Sequence, residues 1–486
     1  MDVPGMLHDS RLTETTSGAI PSIGLTTGSG KREGLALCLS GGGFRAALFH
    51  LGSLRRLHEV GALPRVTTVS SVSGGSILSG FLAGRMMELG QLNGLHINDF
   101  EAEIAEPFRR QIAGRDLRTW PTLLHLPWNW LMPGLRVSHL LRRYRRRLTG
   151  KLRPNDTLGR MPTFPEFIFC ATDIVFGINW EFRRNRAGDY LAGYTERAKD
   201  WPIARAVAAS ACFPPLFGPM PLRLKGSDLT RGKYRGAGRN PDRERHRLCC
   251  SIGLSDGGVY DNMALEPIWK DHATVLVSDC GAPFTYTKPG HYLRRLLRYT
   301  SVVMNQAAAM RKRAFFADIS PRYYAHPGTS SDGSAAVGDA ASDARPGIVP
   351  QRDGDATGVT SADGTNVEMP PRYLGGYWGI AGTVDRYKAL SDPITGYSRK
   401  LVDEVIDRIR TDLDRFTEAE MKVLENHGYL LTAAVLRRRR PELDNGAAAA
   451  NAPHPCWMDE HRVRKALRRS HKRFVLKRLI GFDDKG

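Results

Sequence analysis

Three short stretches hold residue types whose spacing could do chemistry. The first, Ser40-Gly41-Gly42-Gly43-Phe44-Arg45, sets three successive glycines ahead of a helical pattern. Bare N–H groups converge there at a helix N-terminus, whose partial positive charge favours an anion. The second, Ser71-Val72-Ser73-Gly74-Gly75, puts a serine among residues too small to obstruct it. A serine at a strand-to-helix elbow is where acyl-transfer enzymes carry a nucleophile. The third, Leu254 to Asn262, contains Asp256-Gly257-Gly258, a carboxylate left accessible by its neighbours. Each has a plainer alternative: a nucleotide-binding turn, a serine in a packing turn, an ordinary Asp-Gly turn. Dinucleotide binding needs an acid about 20 residues after the glycines, and Leu63 to Ser73 has none. Nucleoside triphosphate binding needs Gly-Lys-Ser/Thr, where this chain has Arg45-Ala46.

These residues need a frame, and the flanking pattern supplies one. The apolar run Leu35 to Leu39 precedes a helix bearing Leu48, Leu51 and Leu54, and Val66 to Val72 precedes one bearing Ile77, Leu78, Phe81 and Leu82. Further strands are expected at Glu166 to Ile174, Asn179 to Phe182 and Thr274 to Ser278, with a helix over Pro202 to Cys212 and a loop from Lys225 to Arg247. Short apolar strands alternating with helices call for a mainly parallel sheet covered on both faces, with the site at its carboxyl edge.

Taken together, Gly41-Gly42-Gly43-x-Arg45, the serine elbow and Asp256-Gly257-Gly258 resemble the patatin-like phospholipase family. The resemblance runs from about Glu33 to Pro283 and takes in Ala171-Thr172-Asp173 and Ala208 to Pro215. It implies a three-layer α/β/α sandwich with a helical C-terminal extension, and a lipid acyl hydrolase that works through a Ser-Asp dyad without histidine. Ser73 would be the nucleophile and Asp256 the base, with an oxyanion hole at Gly41, Gly42, Gly43 and Arg45; no cofactor and no metal is called for. Arg45 could support the glycine turn, bind lipid phosphate or form an ordering salt bridge. An aspartate near its reference pKa of about 3.9 is a poor base, so Asp256 must be desolvated or act by orienting Ser73. Two positions depart from the family pattern, Ser71 and Ala46, where glycine is usual. Two alternatives stay open. One is a Ser-His-Asp hydrolase using Asp279 and His291, with His272 as another histidine to test. The other is a non-catalytic basic scaffold for anionic lipid or nucleic acid.

Across 486 residues, 70 Lys and Arg against 50 Asp and Glu give a formal charge of +20, which favours polyanionic partners. The basic runs lack interleaved aromatics and no helix-turn-helix or finger pattern occurs, which argues against nucleic acid and for an anionic membrane surface around a phospholipid or other lipid ester substrate. Arginine-rich Pro107 to Arg118 and Arg136 to Arg153, the Leu/Trp stretch Trp120 to Pro133 and the basic tail His461 to Ile480 are the segments suited to that surface. Each has a plainer alternative: a solvated basic helix beside a buried loop for the first three, a solvated tail or one packed on the catalytic domain for the last. Seven cysteines without spaced pairs read as reduced thiols. Neither a signal peptide nor a transmembrane run is visible, so a cytoplasmic protein, peripheral on a membrane, is expected. The expected layout is a flexible arm at 1–32, a catalytic domain at 33–283, a helical extension at 284–440 with a disordered insert at about 327–365, and a linker with a basic helix at 441–486. The oligomeric state stays open.

Overall fold

A computed structural model describes residues 32–113, 156–282, 292–319 and 374–470, except 215–218, 231, 237–238, 270, 389–392, 414, 445–448 and 469. The expected insert at 327–365, the arginine-rich stretch 136–153 and the tail beyond 470 lie outside the described residues.

The frame is a sheet in the order β10-β9-β1-β2-β3-β4-β5-β6. Its parallel half joins β1 (Arg32–Leu39), β2 (Val66–Val72), β3 (Glu166–Asp173), β9 (His272–Asp279) and β10 (Leu374–Gly379). The rest is antiparallel: β4 (Ile178–Phe182), β5 (Ala187–Asp189) and β6 (Gly193–Thr195) continue from β3. Strand β8 (Gly253–Asp256) also pairs with β3, and β7 (Met220–Pro221) with β8.

Both faces are covered, and β1 shows how. Leu35, Leu37 and Leu39 enter one buried cluster, while Ala36 and Cys38 enter the other. A strand buried on both sides must be apolar throughout, which is why the sequence reads as a run rather than an alternation. The first cluster holds α1 (Gly43–Glu59), α2 (Gly74–Glu88), α4 (Ile203–Ser210) and α7 (Glu418–Arg439). On the other face lie Met263 to Ile268 and the end of α6 (Tyr292–Ile319). Smaller helices are α3 (Glu106–Ala113), α5 (Pro241–Cys250) and α8 (Glu460–Leu467).

Helix α5 corrects the loop expected at Lys225 to Arg247. Asn240 caps it by accepting the Arg243 N–H at 3.1 Å, and Pro241 sits in its first turn. Only Cys249 is buried, so the helix leaves no apolar stripe in the sequence. Thr417 and Glu420 form the expected capping box of α7, each side chain holding the other's N–H. Helix α7 crosses α1 with backbones almost touching: a Cβ at Gly52 would meet the Glu425 carbonyl oxygen at 1.9 Å, and one at Gly428 the Phe49 carbonyl oxygen at 1.9 Å.

Candidate active site

Ser73 follows the carboxyl end of β2 and starts α2, with φ 51° and ψ −113°. A non-glycine residue held at positive φ is strained, and the surrounding structure must hold it there. Its N–H donates to Ser210 Oγ at 2.9 Å, and Ser210 Oγ donates to the Cys170 carbonyl at 2.6 Å. Ser76 Oγ lies 2.8 Å from Ser210 Oγ and 3.1 Å from Ser71 Oγ, and Ser71 donates to the Ile168 carbonyl at 3.3 Å. Ser71, in place of the family's glycine, is therefore part of the scaffold beneath the elbow. Neither Ser71 nor Ala46 has positive φ, so neither position demands glycine.

The two glycine-rich turns lock together. A Cβ at Gly74 would lie 2.1 Å from the Gly43 carbonyl oxygen, and one at Gly75 would lie 2.3 Å from that of Leu39. The Gly75 N–H donates to the Ser40 carbonyl at 3.1 Å. Gly41 stands against the nucleophile, where an added Cβ would be 3.2 Å from Ser73 Cβ. Its amide is occupied, donating to the Asn262 carbonyl at 3.0 Å. Gly42 and Gly43, at φ 142° and 60°, donate to no acceptor among the described residues.

The Arg45 guanidinium is fully buried beneath this turn. Nη1 donates to the carbonyls of Asp407 at 2.9 Å and Ile409 at 3.1 Å, and Nη2 to that of Cys280 at 2.9 Å. These bonds tie the turn to a segment more than 360 residues away in sequence.

Asp256 ends β8 and is 1% exposed. Oδ1 accepts the Gly258 N–H at 2.7 Å, whereas Oδ2 is buried and meets no partner at full hydrogen-bonding geometry among the described residues. Burial pushes the carboxyl pKa up to about 7, against the opposing pull of the Gly258 N–H and the nearby Ser73 side chain. Ser210 joins acid and nucleophile: besides holding the Ser73 N–H, its carbonyl accepts the Gly257 N–H at 3.3 Å. Asn262 sits among the same groups, its Oδ1 lying 2.4 Å from where a Gly41 Cβ would be and 2.7 Å from where a Gly258 Cβ would be.

Neither Ser73 nor Asp256 has a histidine among its hydrogen-bond partners in the described residues. His272 begins β9, at the opposite edge of the sheet, and its Nε2 lies 2.8 Å from Thr68 Oγ1. Asp279 is anchored by the Gly281 N–H at 3.0 Å and the Tyr377 hydroxyl at 2.7 Å. His291 lies outside the described residues. His50 is buried beneath the glycine turn, with Nε2 3.0 Å from the Ser40 carbonyl and Nδ1 2.7 Å from Ser278 Oγ. Burial lowers its pKa to about 4, so it is neutral at pH 7.

Sequence reasoning gave no role to Ser210, Asn262 or His50. The first two lay inside motifs already singled out, Ala208 to Pro215 and Leu254 to Asn262; His50 carried no signal beyond its place in an apolar helix.

Residues 37–269 match the family model described as Patatin-like phospholipase. No curated protein matches the chain. Among solved structures, human GIVD cytosolic phospholipase A2 is similar at 13% identity and a TM-score of 0.41, over 90% of this chain and 60% of that one. Its complex with methyl gamma-linolenyl fluorophosphonate gives 15% identity and a TM-score of 0.45, over 85% of this chain and 59% of that one. VipD from Legionella pneumophila gives 14% identity and a TM-score of 0.31, over 86% and 70%. The chain thus spans about three fifths of the length of the human enzyme structures it resembles. Over residues 37–269 the chain is therefore similar to the patatin-like phospholipase family.

Proposed function

We propose that this chain hydrolyses carboxylic esters of phospholipids or related lipids, with Ser73 as nucleophile and Asp256 as general base. The observation that carries this is a serine at φ 51° beside a fully buried aspartate whose Oδ2 makes no full hydrogen bond among the described residues. In acylation, Asp256 Oδ2 takes the hydroxyl proton as Ser73 Oγ bonds to the ester carbon. The carbonyl pair moves onto oxygen, then returns to expel the alkoxide, which leaves with the proton from Asp256. Water repeats the sequence and releases the fatty acid. A base with a pKa near 7 is far better matched to this task than one near 3.9.

The amides of Gly42 and Gly43 are the proposed oxyanion donors, since Gly41 already serves Asn262. Arg45 supports the turn from beneath through its three carbonyl contacts. We extend the catalytic unit past the expected boundary at 283 to include β10, α7 and the segment between them, because the first core cluster draws on Trp378 and α7 and the Arg45 anchor on Asp407 and Ile409. Among the described residues no helix is long and apolar enough to cross a membrane, and we propose that contact with an anionic lipid surface is peripheral.

A fluorophosphonate probe tests the reading. It should label the full chain at Ser73, and Ser73→Ala should lose both label and p-nitrophenyl ester hydrolysis while remaining folded. His272→Ala should keep its activity. A folded Ser73→Ala protein with most of its activity would refute the assignment.

A further inference from the structure

Helix α6 turns an apolar stripe toward solvent. Tyr299, Val303 and Met310 are 64%, 67% and 65% exposed, and their spacing puts them on one face. Val302 flanks them, so four of the chain's exposed large apolar side chains stand on this helix. Arg295 and Arg313, also exposed, continue the same stripe at either end. From Tyr292 to Ala317 the helix carries Arg294, Arg295, Arg298, Arg311, Lys312 and Arg313 and no acid.

Its position gives the stripe a meaning. At 28 residues the helix is about 42 Å long, whereas eight-residue β9 spans about 27 Å. Only the last third is seated on the sheet. Ile319 abuts Gly375, while Phe316 and Lys312 lie 5.2 Å and 4.4 Å from the Tyr377 ring. Passing from Gly375 to Tyr377 climbs β10 toward the edge where the Tyr377 hydroxyl meets Asp279. Above Tyr377 only Trp378 and Gly379 remain, about 7 Å of strand or about five helical residues. The helix before about residue 307 therefore overhangs the carboxyl edge, the edge that also carries Ser73 and the glycine turn.

We propose that the overhanging part of this stripe is the docking surface for an anionic lipid layer, with Tyr299 and Val303 entering the interface and Arg295 meeting headgroup phosphates. This rests on the lipid-ester reading for the identity of the partner. A partner protein would need an acidic, apolar groove; a lipid layer supplies both chemistries at the edge where an ester must enter.

The test uses the full chain and vesicles of phosphatidylcholine, alone or mixed with phosphatidylserine. Tyr299→Asp/Val303→Asp should weaken partitioning onto the mixed vesicles about tenfold or more, and slow their hydrolysis, with turnover of a soluble short-chain ester unchanged. As a local readout, Val303→Cys carrying an environment-sensitive fluorophore, in a Cys250→Ser/Cys456→Ser background, should shift to the blue on mixed vesicles. Wild-type partitioning by the double variant, or a label that stays in water, would overturn the proposal and leave the stripe to a protein. Absence of soluble-ester activity in the wild-type chain would instead refute the catalytic reading, while the partitioning and label results would still judge the stripe.

Discussion

Replacing Asp256 by Asn should abolish ester hydrolysis and, at neutral pH, stabilise the protein. The carboxyl has a folded-state pKa of about 7 against 3.8 for a free side chain, with burial as the largest cause. A value raised by folding means that the native state binds the proton more tightly than the unfolded chain does. Below about pH 4 both states are protonated and the group costs nothing. Between about pH 4 and 7 ionisation opposes folding progressively, and above 7 the whole cost applies. A shift of about three units corresponds to roughly 4 kcal/mol. Asn keeps the shape, its Oδ1 can still accept the Gly258 N–H, and it never ionises. With an unfolding entropy of about 2 cal/mol/K per residue, that energy should raise Tm by about 4 °C at pH 8 and leave it nearly unchanged at pH 4. Thermal melts of both proteins across this range, beside a p-nitrophenyl ester assay, check it. The same ionisation makes wild-type kcat/KM fall as pH drops through about 7, because the protonated carboxyl cannot act as base. A Tm difference that is the same at both pH values, or destabilisation of the variant at pH 8, would refute the buried-base argument.

Two further outcomes follow from the scaffold. Ser210→Ala leaves the Ser73 N–H buried without its acceptor and should cost about 1–3 kcal/mol, with the rate of fluorophosphonate labelling at Ser73 falling about tenfold, of the order produced by 1.4 kcal/mol; denaturation and labelling kinetics check both. Gly43→Ala would bring a Cβ to 1.9 Å from the Thr411 carbonyl oxygen at φ 60°, so kcat/KM should drop about 10² or more as the turn moves. As a control, Gly90→Ala, also at positive φ but with nothing within 4 Å, should leave kcat/KM unchanged.

What could be read in advance depended on where each residue's constraint comes from. Leu35 to Leu39 and Val66 to Val72 announce buried parallel strands because their surroundings are apolar on both sides, a condition written in the run itself. Strand β10, LGGYWG, has no such mark. Its glycines answer to neighbours from elsewhere, since a Cβ at Gly375 would fall 2.5 Å from Ile319 and one at Gly376 2.9 Å from Leu276. Within the site, the spacing of Ser73, Gly42, Gly43 and Asp256 named groups able to react. Whether a donor is still available is settled by partners far along the chain. The Gly41 amide is engaged by Asn262, and the Arg45 guanidinium by Cys280, Asp407 and Ile409. Ser210 is invisible for the same reason, its hydroxyl holding Ser73 across 137 residues while its carbonyl holds Gly257. A motif fixes which atoms lie near one another locally. Which of them keep an unused hydrogen-bonding valence depends on the fold, and in this site that difference separates the Gly42 and Gly43 amides, proposed as oxyanion donors, from the Gly41 amide already bound to Asn262.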